Sequence, residues 1–153
     1  MDDATVGTVA WSNPDNAKVS DDTRAFSALL YEGSNVIENS IKIVKTGTIL
    51  GDEKSTSAAV SFTESYISYG GSSDLWGETW TAEDINDVDF GVVGSWKDTS
   101  VISHYLKATN FGFSIPVGAT VNGILVEIEQ RKVVGSGSTI NVDHIRITVY
   151  YTN

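Results

Sequence analysis

The chain has 153 residues, 41% hydrophobic and 20% charged, a globular composition long enough for one domain with a sizeable core. Lys and Arg total 10 against 20 Asp and Glu, and the resulting charge of −10 repels phosphate, which argues against nucleic acid and anionic membrane surfaces as partners. With no cysteine there are no disulfides, thiolate nucleophiles or Cys-based zinc sites, and the two histidines are too few for a His-rich metal centre.

No apolar run approaches the length that spans a bilayer, and the opening MDDATVGTVAW lacks the basic and apolar regions of a secretory signal. An exported form of this chain would have lost its signal or would leave by another route, such as lysis. Thr5 to Trp11 is β-prone. It leads into a turn at Asn13-Pro14-Asp15-Asn16, where Pro14 fixes φ and its Asn and Asp neighbours bond locally. Ser20-Asp21-Asp22 is a second turn, and Arg24 to Glu32 resumes as strand, with Ala28-Leu29-Leu30 also compatible with a helical turn.

Val36 to Thr46 alternates from Ile41, with Ile41 and Ile43 on one face and Lys42 and Val44 on the other. Gly47-Thr48 marks a turn and Gly51 to Lys54 an exposed acidic loop. Ser57 to Phe62 and Glu64 to Tyr69 are strand-like, rich in β-branched and aromatic residues.

The stretch Gly70 to Gly91, GGSSDLWGETWTAEDINDVDFG, breaks this pattern. Thr81 is a good N-cap for a short helix over residues 81–86, and Glu83 and Asp84 suit the positive end of its dipole. Asp87 to Trp96 returns to strand, with Val88, Phe90 and Val92 sharing a face. His104 to Phe113 is a strand on which Tyr105, Phe111 and Phe113 share a parity, and Pro116 to Ala119 is a turn.

Val121 to Val134 is the clearest strand: Ile124, Val126 and Ile128 face inward, Glu127, Glu129 and Arg131 outward. Gly135 to Ser138 connects it to Ile140–Thr152. There Ile140 and Val142 share one parity, while Ile145, Ile147, Val149 and Tyr151 carry the other, which places a β-bulge near Asp143-His144. Short strands between turn signals, with polar outer faces, predict an all-β fold. It is an antiparallel two-sheet sandwich, jelly-roll-like, with one short helix near 81–86 and a core of Ile124, Val126, Ile128, Ile145, Ile147 and Val149. Residues 1–153 read as a single domain, with 1–11 as an arm able to donate a strand.

Several segments together resemble a family of β-sandwich modules from phage, prophage and environmental structural proteins. They are Trp11-Ser12-Asn13-Pro14 with Ser20-Asp21-Asp22, and Tyr105 to Pro116 (YLKATNFGFSIP). Gly118-Ala119 with Gly123-Ile124 and Val126 to Glu129, Ser68 to Gly77 with Trp80-Thr81 and Asp84 to Asn86, Phe90 to Val92, and Val142 to Tyr151 complete the set, with Asn16-Ala17 beside the first segment. The resemblance covers most of the chain and implies a structural role, extracellular or virion-associated, with no catalytic residues. The block order differs from the family's: the NFGF–VEIE segment here follows the segment from Ile41 to Trp96 instead of preceding it. The junctions fall near Tyr31–Asn35, Asp98–Ser103 and Gly135–Ser138, where loops tolerate rewiring.

Candidate sites have competing readings. Trp76 and Trp80, with Tyr66 and Tyr69, could stack on sugar rings while Asp74 and Glu78 accept hydroxyl hydrogen bonds; packing beneath a crossover loop is the commoner use of Trp. Asp84, Asn86, Asp87 and Asp89 offer oxygen ligands suited to a structural Ca²⁺, but they lack EF-hand spacing, and helix capping accounts for several of them. No other cofactor is implied.

Asp143 and His144 are adjacent on a strand and point apart, so they form no relay with Ser138 or Thr139. Glu127 and Glu129 share a face as a glycosidase pair would, but a solvated sheet face explains them. The arm, with Thr5, Val6, Thr8, Val9 and Trp11, is either the first strand of the sandwich or a strand donated to the next subunit. In the second case a head-to-tail contact that does not close builds a filament. The expectation is a non-catalytic fibre subunit whose partner is itself, with glycan recognition as the alternative.

Overall fold

The computed structural model describes residues 1–29, 35–99, 101–135 and 137–153. The end of the expected strand Arg24 to Glu32, and parts of the three block junctions, lie outside the described residues.

Two antiparallel sheets pack face to face. The first has the order β1 (Asp2–Asp3), β7 (Tyr105–Thr109), β6 (Gly91–Lys97), β3 (Ile37–Lys45), β4 (Thr48–Leu50). The second runs β2 (Ala25–Ala28), β9 (Ser138–Thr152), β8 (Thr120–Val134), β5 (Ser65–Gly70). The chain changes sheet after β1, β2, β4, β5 and β7, so both layers are woven from distant segments, as the sandwich expectation required. One continuous core fills the space between them, drawing Ile41, Ile43, Val92 and Trp96 from the first sheet and Val126, Ile128, Ile140 and Val142 from the second.

The long β8–β9 hairpin carries the expected bulge. Glu129 pairs with His144 but Gln130 pairs with Val142, which leaves Asp143 as the extra residue and lets both Val142 and Ile145 point inward. Ile124, Val126, Ile128 and Ile145 are buried as expected, whereas Ile147 and Val149 are only partly so. The reason is strand length: β2 covers β9 only from Thr139 to Val142, so the later half of β9 runs on as a sheet edge.

Other expectations shift. Thr5 to Trp11 is irregular, touching Ser103 through one isolated bridge at Val9. Ser57 to Phe62 is not a strand either; Ser57 adopts φ 55°, and the segment keeps one bridge, Ala59 to Ile37. The strand expected from Asp87 starts only at Gly91, because the chain leaving the helix turns through Phe90 N–H to Asp87 O (3.1 Å) and exposes Val88. The strand expected to reach Phe113 stops at Thr109, where Asn110 (φ 63°) and Gly112 (φ 72°) bend the backbone. The helix is Ala82–Asn86, started by the expected Thr81 cap: Asp84 N–H donates to Thr81 Oγ1 (3.2 Å) and Thr81 N–H to Asp84 Oδ2 (2.9 Å).

The β3–β4 hairpin turns on Thr46 (φ 45°) and Gly47 (φ 80°) between the closing pair Lys45 and Thr48. Both positive φ values are those of a type I′ turn, which favours Asn-Gly and strains a β-branched Thr. Thr46→Asn is expected to stabilise the protein by about 1 kcal/mol in urea unfolding; an unchanged or lower midpoint would show that Thr46 carries no strain.

Candidate functional site

The tryptophans of the Gly70–Gly91 stretch are anchors. Trp76 is fully buried, and its Nε1–H donates to Ile124 O (3.0 Å), which pins the crossover between β5 and α1 to β8. Gly70 makes room for that ring: a Cβ there would lie 2.6 Å from Trp76 Nε1. Trp80 is half-buried, edge-on to Phe90 at 5.5 Å, with its Nε1–H donating to Leu75 O (2.9 Å) and Lys45 Nζ lying over its ring.

Trp76 therefore has no ring face to offer a sugar, and the pairing of Trp76 with Trp80 as a stacking platform is corrected on that ground. Tyr69 is also buried and donates to Glu38, and Tyr66 lies beneath Arg146, whose guanidinium carbon is 4.0 Å from its ring centroid. Asp74, the expected hydroxyl acceptor, is already committed to Lys54 Nζ (2.8 Å) and to Trp76 N–H (2.8 Å). Burial works against its ionisation, but those two hydrogen bonds outweigh it and hold its pKa below the ordinary value. Glu78 lies beside Gly51.

The expected calcium ligands do not converge. Asp84 closes the helix cap and pairs with Lys45 (3.1 Å). Asn86 exchanges two hydrogen bonds with the backbone of Ile115, at 2.9 and 2.7 Å, and Asp87 accepts from Asp89 N–H (2.7 Å). Among the described residues, Asp84, Asp87 and Asp89 do not bring their carboxylates together as a ligand set. The cap and the turn after it use Asp84 and Asp87 locally, and the Ile115 backbone holds Asn86, which fixes their directions.

The arm residues lie against their own chain. Thr8 and Val9 N–H both donate to Ile102 O (2.9 and 3.2 Å), and His104 N–H donates to Val9 O (2.7 Å). Gly7 passes so close to Ser103 that a Cβ would sit 2.2 Å from its carbonyl oxygen. Trp11 is buried edge-on to Trp96 (5.4 Å), with Nε1–H donating to His104 O (2.8 Å). Thr5 and Val6 form the turn between this contact and β1, which pairs with β7. A loose arm is thus corrected to a segment seated along the outer edge of β7 and the chain leading into it.

The structure adds a feature that residue patterns did not single out. Among the described residues, no strand pairs with the outer edge of β9 from Ile145 to Thr152; only Lys18 bridges His144 beside it. The outer edge of β7, by contrast, is taken by Asp2 and Asp3 opposite Leu106 and Tyr105, and among the described residues no strand pairs with that edge at Ala108 and Thr109. Between these edges lies a groove of about 390 Å³ lined by the apolar Ala17, Ala108, Phe111, Phe113, Ile145 and Ile147 and by the polar Lys18, Thr109, Asn110, His144 and Arg146. Tyr150 and Tyr151 are exposed farther along the same strand. The sequence signal was present in the apolar parity of Ile147 and Val149 beyond the bulge; what it lacked was the length of the partner strand.

On the outer face of the same sheet, Arg146 makes a bidentate pair with Glu127 (2.7 and 2.9 Å). His144 Nδ1 meets Tyr66 Oη at 2.9 Å, so His144 is engaged with Tyr66, which reaches it across β8 from β5, and not with Asp143.

The fold is an antiparallel β-sandwich in which, among the described residues, the margin of β9 from Ile145 to Thr152 is unpaired. Comparison with protein-family models, with curated proteins and with solved structures gives no match.

Proposed function

We propose that the protein is a non-catalytic structural subunit that polymerises head to tail through strand-edge contacts into an extracellular or virion-associated fibre. The observation that carries this reading is the edge of β9, Ile145 to Thr152, unpaired among the described residues, beside a groove of mixed apolar and polar lining. A row of free backbone N–H and C=O groups next to apolar pockets is the acceptor for an added strand, with the backbone supplying affinity and the pockets register. The resemblance to structural β-sandwich modules points the same way.

The donor in this reading is the N-terminal segment ahead of Trp11. In its own chain it ends beside the groove, where Lys107 N–H donates to Met1 O (2.9 Å), and its strand pairing is short. Trp11, buried and hydrogen-bonded, stays as the root, while Asp2 to Val9 exchange onto the neighbouring copy. Such a contact joins two different surfaces and therefore propagates. The alternative, carbohydrate recognition, loses its Trp76–Trp80 platform because Trp76 is enclosed.

Two variants test the assembly. Deleting Asp2 to Val9 removes the donor but keeps Trp11, and Ile147→Lys puts a charge in the groove. Electron microscopy and sedimentation velocity are expected to show filaments for the parent chain and folded monomers for both variants. A parent chain that stays a monodisperse monomer at high concentration, or variants that polymerise unchanged, would sink the proposal.

A further inference from the structure

On the outer face of the second sheet, three carboxylates from distant segments meet. Asp22 stands in the turn before β2, Glu64 directly precedes β5, and Asp143 is the bulged residue of β9; one oxygen of each lies within 4.8 Å of the others. Asp143 is 2% exposed, and its Oδ1 is buried with no hydrogen-bond partner. A buried carboxylate oxygen without a donor is costly, and such groups are ordinarily paired or ligated to an ion.

Two guanidinium groups already attend the cluster. Arg24 grips both oxygens of Glu64 (2.7 Å each) and reaches Asp22 Oδ1 (3.0 Å). Arg131 Nε lies 3.4 Å from Glu64 Oε2, an approach too poorly aligned to count as a hydrogen bond. Glu129 adds a further negative charge acting on Asp143, and its own Oε2 is buried without a partner. Asp22, Glu64, Glu129 and Asp143 against Arg24 and Arg131 leave two negative charges uncompensated.

We infer that Asp22, Glu64 and Asp143 bind a divalent cation of the calcium type, which clamps the turn before β2 onto the bulge of β9. The ligands are all hard carboxylate oxygens, with neither imidazole nor thiolate among them, which selects Ca²⁺ or Mg²⁺ over zinc or copper. Flexible geometry drawn from three separate segments suits Ca²⁺ better than the strict octahedron of Mg²⁺. Glu64 can serve Arg24 and the ion together, because each carboxylate oxygen has two lone pairs. Asp22, with its side chain 87% exposed, is the open side through which the ion enters and water completes the coordination. The site is independent of the assembly reading.

The test is titration of the chelator-treated protein with CaCl₂ by calorimetry, together with thermal melts in Ca²⁺, Mg²⁺ and EDTA. Binding is expected with Kd on the order of 10⁻⁴–10⁻³ M, and 10 mM Ca²⁺ should raise Tm by about 3–10 °C, more than Mg²⁺ does. Asp143→Asn and, as the variant safest for folding, Asp22→Asn should each weaken binding at least about tenfold and lose most of the shift. In EDTA, Asp143→Asn should be at least as stable as the parent. No binding heat and no Ca²⁺-dependent shift would overturn the site, leaving a proton shared among the carboxylates as the explanation for Asp143. A shift undiminished in both variants would equally overturn it, by placing the ion elsewhere on the acidic surface.

Discussion

Trp76→Ala is expected to destabilise the protein by about 3–5 kcal/mol, the range for emptying a fully enclosed aromatic site. The ring is fully buried and closes the core where the crossover after β5 lies on β8. Its backbone is also constrained: Trp76 has φ 58°, Gly77 follows at φ 72°, and Trp76 O accepts from Asp52 N–H (2.8 Å). Losing the indole does not orphan Ile124 O, which also accepts from Gly71 N–H (3.0 Å), so the cost is chiefly that of a cavity. The loop cannot collapse into that space freely, because two left-handed residues and the Asp52 bond hold its path. Urea unfolding should show a large fall in midpoint with the slope preserved, while the half-buried Trp80→Ala should cost less than half as much. A loss of under about 1 kcal/mol at Trp76 would mean that the ring does not anchor the crossover.

Glu38→Ala is expected to cost a comparable amount, about 3–5 kcal/mol, for a different reason. Glu38 points into the core from β3 and is 2% exposed. Its Oε1 accepts from Tyr69 Oη–H (2.6 Å) and Gln130 Nε2–H (3.4 Å), and its Oε2 from Thr56 N–H (2.9 Å) and Thr56 Oγ1–H (3.2 Å). Gln130 in turn accepts from Trp96 Nε1–H (2.7 Å), so the carboxyl group links both sheets and the loop after β4. Truncation would leave the buried Tyr69 hydroxyl without its acceptor and take from the buried Gln130 amide one of its two. Burial, then the adjoining Glu38, push the Tyr69 pKa far above its ordinary value, so the phenol stays a donor at every pH the fold survives. Tyr69→Phe should cost about 1–2 kcal/mol, and a double-mutant cycle with Glu38→Ala should give a coupling of similar size. Additive effects would show that the two side chains do not act together.

These two positions also mark how far the chain can be read without its fold. The helix start at Thr81, the bulge at Asp143 and the inward face of Ile124, Val126 and Ile128 were all legible, because each depends on residues a few positions apart. Trp76 was legible as an anchor or a platform, and burial decides for the anchor. The carboxylates after the helix were a plausible ion set only as long as their local hydrogen bonds were unknown. Nothing near Glu38 in sequence announces a buried carboxyl group, since its partners come from Thr56, Tyr69 and Gln130. As a set Asp22, Glu64 and Asp143 are equally silent: they sit in a turn, just before a strand and at a bulge, and only the pairing of β2, β9, β8 and β5 lays them side by side.

By itself the sequence determined the layered β architecture, because a period of two with polar outer faces leaves a strand no stable home except a sheet packed on one side. It determined the bulge for the same reason, since apolar parity must be restored wherever it breaks. Tertiary structure alone decided which edge stays open, because that depends on β2 being shorter than β9, a relation between strands more than a hundred residues apart. It also decided that the N-terminal segment lies on its own β7 edge and that the acidic cluster exists, since backbone pairing and carboxylate convergence are set by distance in space and not along the chain.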